Sequence, residues 1–197
     1  MKLLIFAGST RQKSFNRQLA RAAAGLATTY GAQVSHIELA DFHIPMYNAD
    51  EEKQGTPPDV MRLITLMHAH PAWLICAPEY NGSYTALLKN TLDWCSSPVK
   101  ADPAWADGMK PFRGKVVGML SASPGAMGGL RAQSHLAPLL LNLQCWVAPQ
   151  AFALGHAGDA FAADGSLASE VHQQSVQAVI TQVLDAAQRF NAKPTVT

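Results

Sequence analysis

The chain is short of cysteine, of net charge and of long apolar runs, and each shortage closes a class of function. Its three cysteines, Cys76, Cys95 and Cys145, are odd in number, far apart and without a C-x-x-C pair, which fits a reducing cytoplasm. Fifteen Lys and Arg against fourteen Asp and Glu leave a net charge of +1, so a nucleic-acid partner has no electrostatic support. No stretch reaches the roughly 18 consecutive apolar residues that span a bilayer, and no membrane association is expected. The apolar start at residues 3–7 is too short for a signal peptide and is broken at once by Ser9-Thr10-Arg11. Seven histidines are present, yet none belongs to an H-E-x-x-H motif or a Cys/His cluster. His68 and His70, two apart at a helix end, face different ways, so no metal site is expected.

What is there is enough apolar material, 48% of 197 residues, for one domain spanning 1–197. Strand-like apolar runs at 3–7, 34–39, 72–77, 115–120 and about 146–152 alternate with helical patterns. The first helix carries Phe15, Leu19, Ala22, Leu26 and Tyr30. The second opens at Thr56-Pro57-Pro58-Asp59, which resembles a capping box, and carries Val60, Leu63, Ile64 and Met67. Further helices are expected at 84–94, 129–143 and 167–190. Five β/α units with continuously apolar strands imply an α/β three-layer sandwich: a five-stranded parallel sheet in the flavodoxin-like order 2-1-3-4-5, with helices on both faces. Trp94 and Trp146 are expected to be packing residues. The long irregular stretches 41–55, 95–113 and 153–166 would carry specificity or partner contacts.

The loop from Gly8 to Asn16 joins the first strand to the first helix. A helix N-terminus presents unpaired N–H groups and a favourable dipole to an anion. This loop adds hydroxyls from Ser9, Thr10 and Ser14, an amide from Asn16 and cations from Arg11 and Lys13. Gln12 stands where a triphosphate loop needs glycine, and no G-x-G-x-x-G is present. Hydroxyls outnumber glycines, as suits a terminal monophosphate. Ser14 alone reads equally well as a helix N-cap. In a doubly wound sheet the same edge is built by two more loops, Pro78-Glu79-Tyr80-Asn81-Gly82-Ser83 and the segment 121–129. Both are rich in turn formers. Their main chain can read the heteroatom edge of a flat ring, and Tyr80 can stack on it. A phosphorylated planar cofactor is the natural ligand, and FMN fits.

Three motifs carry a family resemblance over about residues 1–185: Gly8-Ser9-Thr10-Arg11-x-x-Ser14-x-Asn16, then Pro78-Glu79-Tyr80-Asn81-Gly82-Ser83 with Leu88-Lys89-Asn90-x-x-Asp93-Trp94, then Ser123-Pro124-Gly125-x-x-Gly128-Gly129-x-Arg131-Ala132-Gln133. The chain resembles the NADPH-dependent FMN reductase family, which includes bacterial quinone, chromate and azo-dye reductases. The resemblance implies that Ser9, Arg11, Ser14 and Asn16 hold the FMN phosphate. It implies that Pro78, Glu79, Tyr80, Asn81 and Gly82 line the isoalloxazine and that Ser121, Ser123 and Gly125 border its other side. It also implies a homodimer or homotetramer with the flavin near a subunit boundary. Two departures bear on the rim of the site: no arginine follows Asp93-Trp94, and the stretch 99–112 is longer than typical.

The implied activity is transfer of hydride from NADPH or NADH to FMN N5 and then reduction of a quinone, azo compound, chromate or flavin. Chemistry carried by a cofactor needs no catalytic side chain, and no triad is evident. A phosphatase of this topology would need a cysteine in the first loop, and a response regulator an aspartate after the third strand; neither is present. The rival from another class is a flavodoxin-type electron carrier without turnover. Such carriers are strongly acidic to steer toward basic partners, unlike this chain. Leu136, Leu139, Leu140 and Leu143, with Trp105, Met109 and Phe112, are the expected core or subunit contacts. The last three sit in a segment that reads as too irregular for core.

Overall fold

Strands that are apolar at every position need cover on both faces, and the computed structural model, which describes residues 1–192, supplies it. In chain order the elements are β1 (Lys2–Ala7), α1 (Phe15–Thr29), β2 (Gln33–Ile37), α2 (Ala49–Glu52), α3 (Pro58–Ala69), β3 (Ala72–Cys76), β4 (Glu79–Tyr80), β5 (Ser83–Tyr84), α4 (Ala86–Cys95), β6 (Val116–Ala122), α5 (Leu130–Asn142), β7 (Trp146–Val147), β8 (Phe152–Leu154) and α6 (Glu170–Asn191). The main sheet runs β2-β1-β3-β6-β7, all parallel, and β8 also pairs with β6. This is the flavodoxin-like fold with its order as expected. Alternate residues of β1 face opposite layers: Leu3 and Ile5 pack with α1 and α6, Leu4 and Phe6 with residues of α3, α4 and α5.

The fifth strand is not continuous. Its first half, β7, pairs with the start of β6, and its second half, β8, with the end. Pro149 lies between them and has no N–H to donate, while the Gln150 N–H turns to Gln182 Oε1 at 2.8 Å. The capping box at 56–59 does not form either: Pro57 occupies the cap position and no side chain caps α3. Asp59 instead accepts from the His43 N–H at 2.8 Å and from Arg62 Nη1 at 2.6 Å. Those bonds hold its carboxyl below the usual carboxylate range and tie the 41–55 stretch to α3.

The stretch 95–113 is folded onto its own chain. Phe112 is fully buried, edge-on to Trp73 with ring centroids 5.6 Å apart, and Val99 is buried nearby. Trp105 is half-buried against His68, and the Lys110 ammonium lies 4.7 Å from its ring centroid. The expectation that Phe112 lies outside the core is therefore corrected. Trp94 is buried as expected, but Trp146 is 57% exposed and stacks on Phe190 at 4.7 Å. Phe112→Ala is expected to cost about 3–5 kcal/mol of unfolding free energy, the usual loss for a core phenylalanine. Urea denaturation checks this, and a loss near zero would place the ring outside the core.

Candidate functional site

The carboxyl ends of β1, β3 and β6 carry three loops that are bonded to one another. The first begins at Gly8, whose N–H donates to the Cys76 carbonyl at 2.9 Å. A Cβ at Gly8 would lie 3.1 Å from Leu88 Cβ, 3.2 Å from Thr85 Oγ1 and 3.3 Å from Pro78 Cδ, so a larger residue would have to push the second loop back by a few tenths of an ångström. Thr85 seals the contact. Its hydroxyl donates to the Gly8 carbonyl at 2.7 Å and accepts from the Leu88 N–H at 3.2 Å, capping α4. Reasoning from the sequence passed over Thr85, although a threonine immediately before a helix is a recognisable cap signal.

The first loop has the open donors an anion requires. Ser14 sits at the N-cap of α1, yet its side chain makes no capping bond. Among the described residues the N–H groups of Phe15, Asn16 and Arg17 find no acceptor, and the first turn has no acidic residue. The Ser14 N–H donates to the Arg11 carbonyl at 3.1 Å and the Arg11 N–H to Ser9 Oγ at 3.3 Å, which closes the loop around the helix end. Arg11 and Lys13 are exposed beside it. A helix of this length with an uncapped N-terminus, flanking hydroxyls and free cations fits a phosphate.

Asn16 stands apart from this set. It is buried, with Nδ2 donating to the Ala122 carbonyl at 2.8 Å and Oδ1 accepting from the Ala122 N–H at 3.0 Å. Its carbonyl and one amide hydrogen thus brace α1 against the end of β6. Its main-chain N–H, one of the unpaired donors of the first turn, still faces the helix end.

The second loop turns through Asn81 and Gly82 at φ 51° and 80°. Two successive left-handed residues make the type I′ turn that closes a two-residue hairpin, here between β4 and β5. Tyr80 is 56% exposed, its ring free to stack, while Pro78 is buried against Gly8. The Glu79 carboxylate does not open onto a ring. It accepts from the Arg131 N–H at 3.2 Å, Nε at 2.6 Å and Nη2 at 2.5 Å, pinning the hairpin to the start of α5. Ser121 is fully buried, its hydroxyl accepting from Gln133 Nε2 at 2.7 Å; the same nitrogen donates to the Phe152 carbonyl at 2.8 Å. Ser121 thus spends its hydroxyl inside the fold, and the part of the loop that reaches the surface lies further on. There the half-buried Ser123 accepts from the N–H of exposed Gly125 at 3.2 Å.

The edge offers positioning groups and no thiolate nucleophile. Burial pushes the Cys76 thiol far above its ordinary range, and those of Cys95 and Cys145 up to about 12. A doubly wound sheet with an uncapped helix end suited to an anion, an exposed tyrosine on a hairpin and small-residue loops alongside matches a flavodoxin-like flavoprotein.

Comparison with known proteins narrows this class. Residues 1–159 match the NADPH-dependent FMN reductase family. The chain is 37% identical over 186 residues to an NAD(P)H-dependent FMN reductase of Pseudomonas aeruginosa, covering 91% of this chain and 93% of that one. It is 34% identical over 165 residues to a quinone reductase of Pseudomonas putida, covering 83% and 82%. The solved structure of a flavoenzyme NAD(P)H:(acceptor) oxidoreductase from Paracoccus denitrificans superposes with a TM-score of 0.80 at 28% identity, covering 96% and 98%. The chain belongs to the NADPH-dependent FMN reductase family. It is an oxidoreductase with FMN as cofactor and NAD(P)H as electron donor.

Proposed function

We propose that the uncapped N-terminus of α1, with Ser9, Ser14 and Arg11 around it, holds the FMN phosphate. The observation that carries this reading is the set of free first-turn N–H groups beside buried hydroxyls. Pro78, Tyr80, Asn81 and Gly82 would follow the isoalloxazine through the rigid hairpin, and Ser123 and Gly125 would close the other side. FMN held there would supply the redox chemistry, hydride transfer from NADPH or NADH through N5 and on to an acceptor. The protein's work is to orient: backbone donors fix the phosphate, Tyr80 offers a stacking face, and the hairpin's main chain meets the polar edge of the ring. The acceptor is a small molecule, a quinone in the first instance, with azo compounds, chromate and flavin as further members. The near balance of acidic and basic residues favours turnover over the flavodoxin-type carrier.

The same reading takes residues 1–197 as one flavin-binding domain acting in the cytoplasm as a homodimer or homotetramer. Among the described residues no helix is long and apolar enough to cross a membrane. Support for self-association comes from family membership and from the exposed pair Trp146 and Phe190.

Arg11→Ala is expected to weaken FMN by about 1.5–3 kcal/mol, as for a hydrogen bond to a charged group, and riboflavin hardly at all. Equal losses in fluorescence titrations would remove the phosphate assignment. Because donor and acceptor must use one flavin face in turn, initial rates at several quinone concentrations should give parallel double-reciprocal lines. Intersecting lines without substrate inhibition would count against a shared site. Light scattering at micromolar concentration should report at least twice the 21.1 kDa chain mass, and a fully active monomer would refute self-association.

A further inference from the structure

Behind the phosphate cradle lies a side chain that no motif singled out. Arg17, on the first turn of α1, is 14% exposed and directs Nη1 at two consecutive main-chain carbonyls, those of Thr10 and Arg11, each at 3.2 Å. Its Nε donates to Glu38 Oε2 at 2.6 Å. Glu38, 18% exposed and one residue beyond β2, is held in turn by Arg21, whose Nη2 lies 3.3 Å from Oε1. The guanidinium thus joins the first loop, the first helix and the end of the neighbouring strand.

We infer that Arg17, oriented by Glu38, is a positioning residue that presets the phosphate loop by holding the Thr10 and Arg11 carbonyls on the far side from the ligand. This inference rests on the reading of that loop as the FMN phosphate site. The peptide unit is planar and trans, so its N–H points opposite to its C=O. Drawing the Thr10 and Arg11 carbonyls toward Arg17 turns the N–H groups of Arg11 and Gln12 the other way. The Arg11 N–H accordingly meets Ser9 Oγ, and the Gln12 N–H has no acceptor among the described residues. Without Arg17 the Thr10 carbonyl would lose its partner and the Arg11 carbonyl would keep only the Ser14 N–H, so the loop could turn a carbonyl toward the open helix end and repel an anion. Glu38 neutralises Arg17 and fixes its plane, so the charge acts on the loop and not on the ligand. A lysine could not replace the planar fork, which reaches the carboxylate through Nε and the carbonyls through Nη1 at once.

The test compares FMN with riboflavin, which lacks the phosphate, as each dissociates from the loaded full-length chain. Flavin fluorescence follows the release, in about 0.5 M salt to screen distant charge effects. Arg17→Ala and Arg17→Lys are expected to weaken FMN about tenfold, a charged hydrogen bond's worth, and riboflavin less than about twofold. Retained riboflavin binding shows that the variants fold. Glu38→Gln should also weaken FMN, and combining it with Arg17→Ala should add nothing to Arg17→Ala alone. An unchanged FMN-to-riboflavin ratio in Arg17→Ala, full rescue by lysine, or tighter FMN in Glu38→Gln would overturn the inference, the last because it would mark Arg17 as a direct ligand that Glu38 restrains. Arg11→Ala, measured alongside, separates the two levels. If it affects both ligands equally, the phosphate reading itself falls; if it is selective for FMN while Arg17→Ala is not, only the role of Arg17 falls.

Discussion

Two hydrogen bonds between the Asn16 side chain and the Ala122 peptide fix where α1 starts relative to the end of β6. Both partners are buried, so breaking the pair would strand polar groups away from water at a cost of about 1–3 kcal/mol each. With that distance set, the first loop has little freedom: Gly8 is pressed against Pro78, Thr85 and Leu88, and the helix N-terminus must open at the sheet edge. The other interlocks extend the same logic outward, Glu79 to Arg131 and Ser121 to Gln133, until three loops distant in sequence act as one frame.

That frame explains how an edge built largely from main chain can be held in one shape. A serine before a helix commonly caps it by accepting from a first-turn N–H. Here the residue in the cap position leaves the donors free, and the cations beside them have no acidic residue in the first turn to oppose them. The unliganded chain gives up a cap's stabilisation, which a bound phosphate would restore through linkage.

The motif residues divide along the same line. Asn90 and Trp94, though they belong to the family pattern, bond the Pro45 carbonyl at 2.8 Å each and strap the 41–55 stretch onto α4. Ser121 and Gln133 pair with each other inside the fold. A pattern that looks like a ligand set in one dimension is in three dimensions partly a set of braces.

The sequence by itself determined the layered α/β architecture, because uninterrupted apolar strands separated by amphipathic helices have few other ways to bury both faces. It also singled out the loop 8–16 as a candidate anion site, since hydroxyls and cations between a strand and a helix have a mechanism of their own. Only the tertiary structure decided which polar side chains are spent on partners within the protein. Asn16, Glu79 and Ser121 have the right chemistry for a site, but their partners, Ala122, Arg131 and Gln133, lie 106, 52 and 12 residues away, beyond the reach of local pattern. Phe112 is the same lesson in apolar form. Its neighbours in sequence are irregular and proline-bearing, and only the approach of Trp73 from the third strand makes it core.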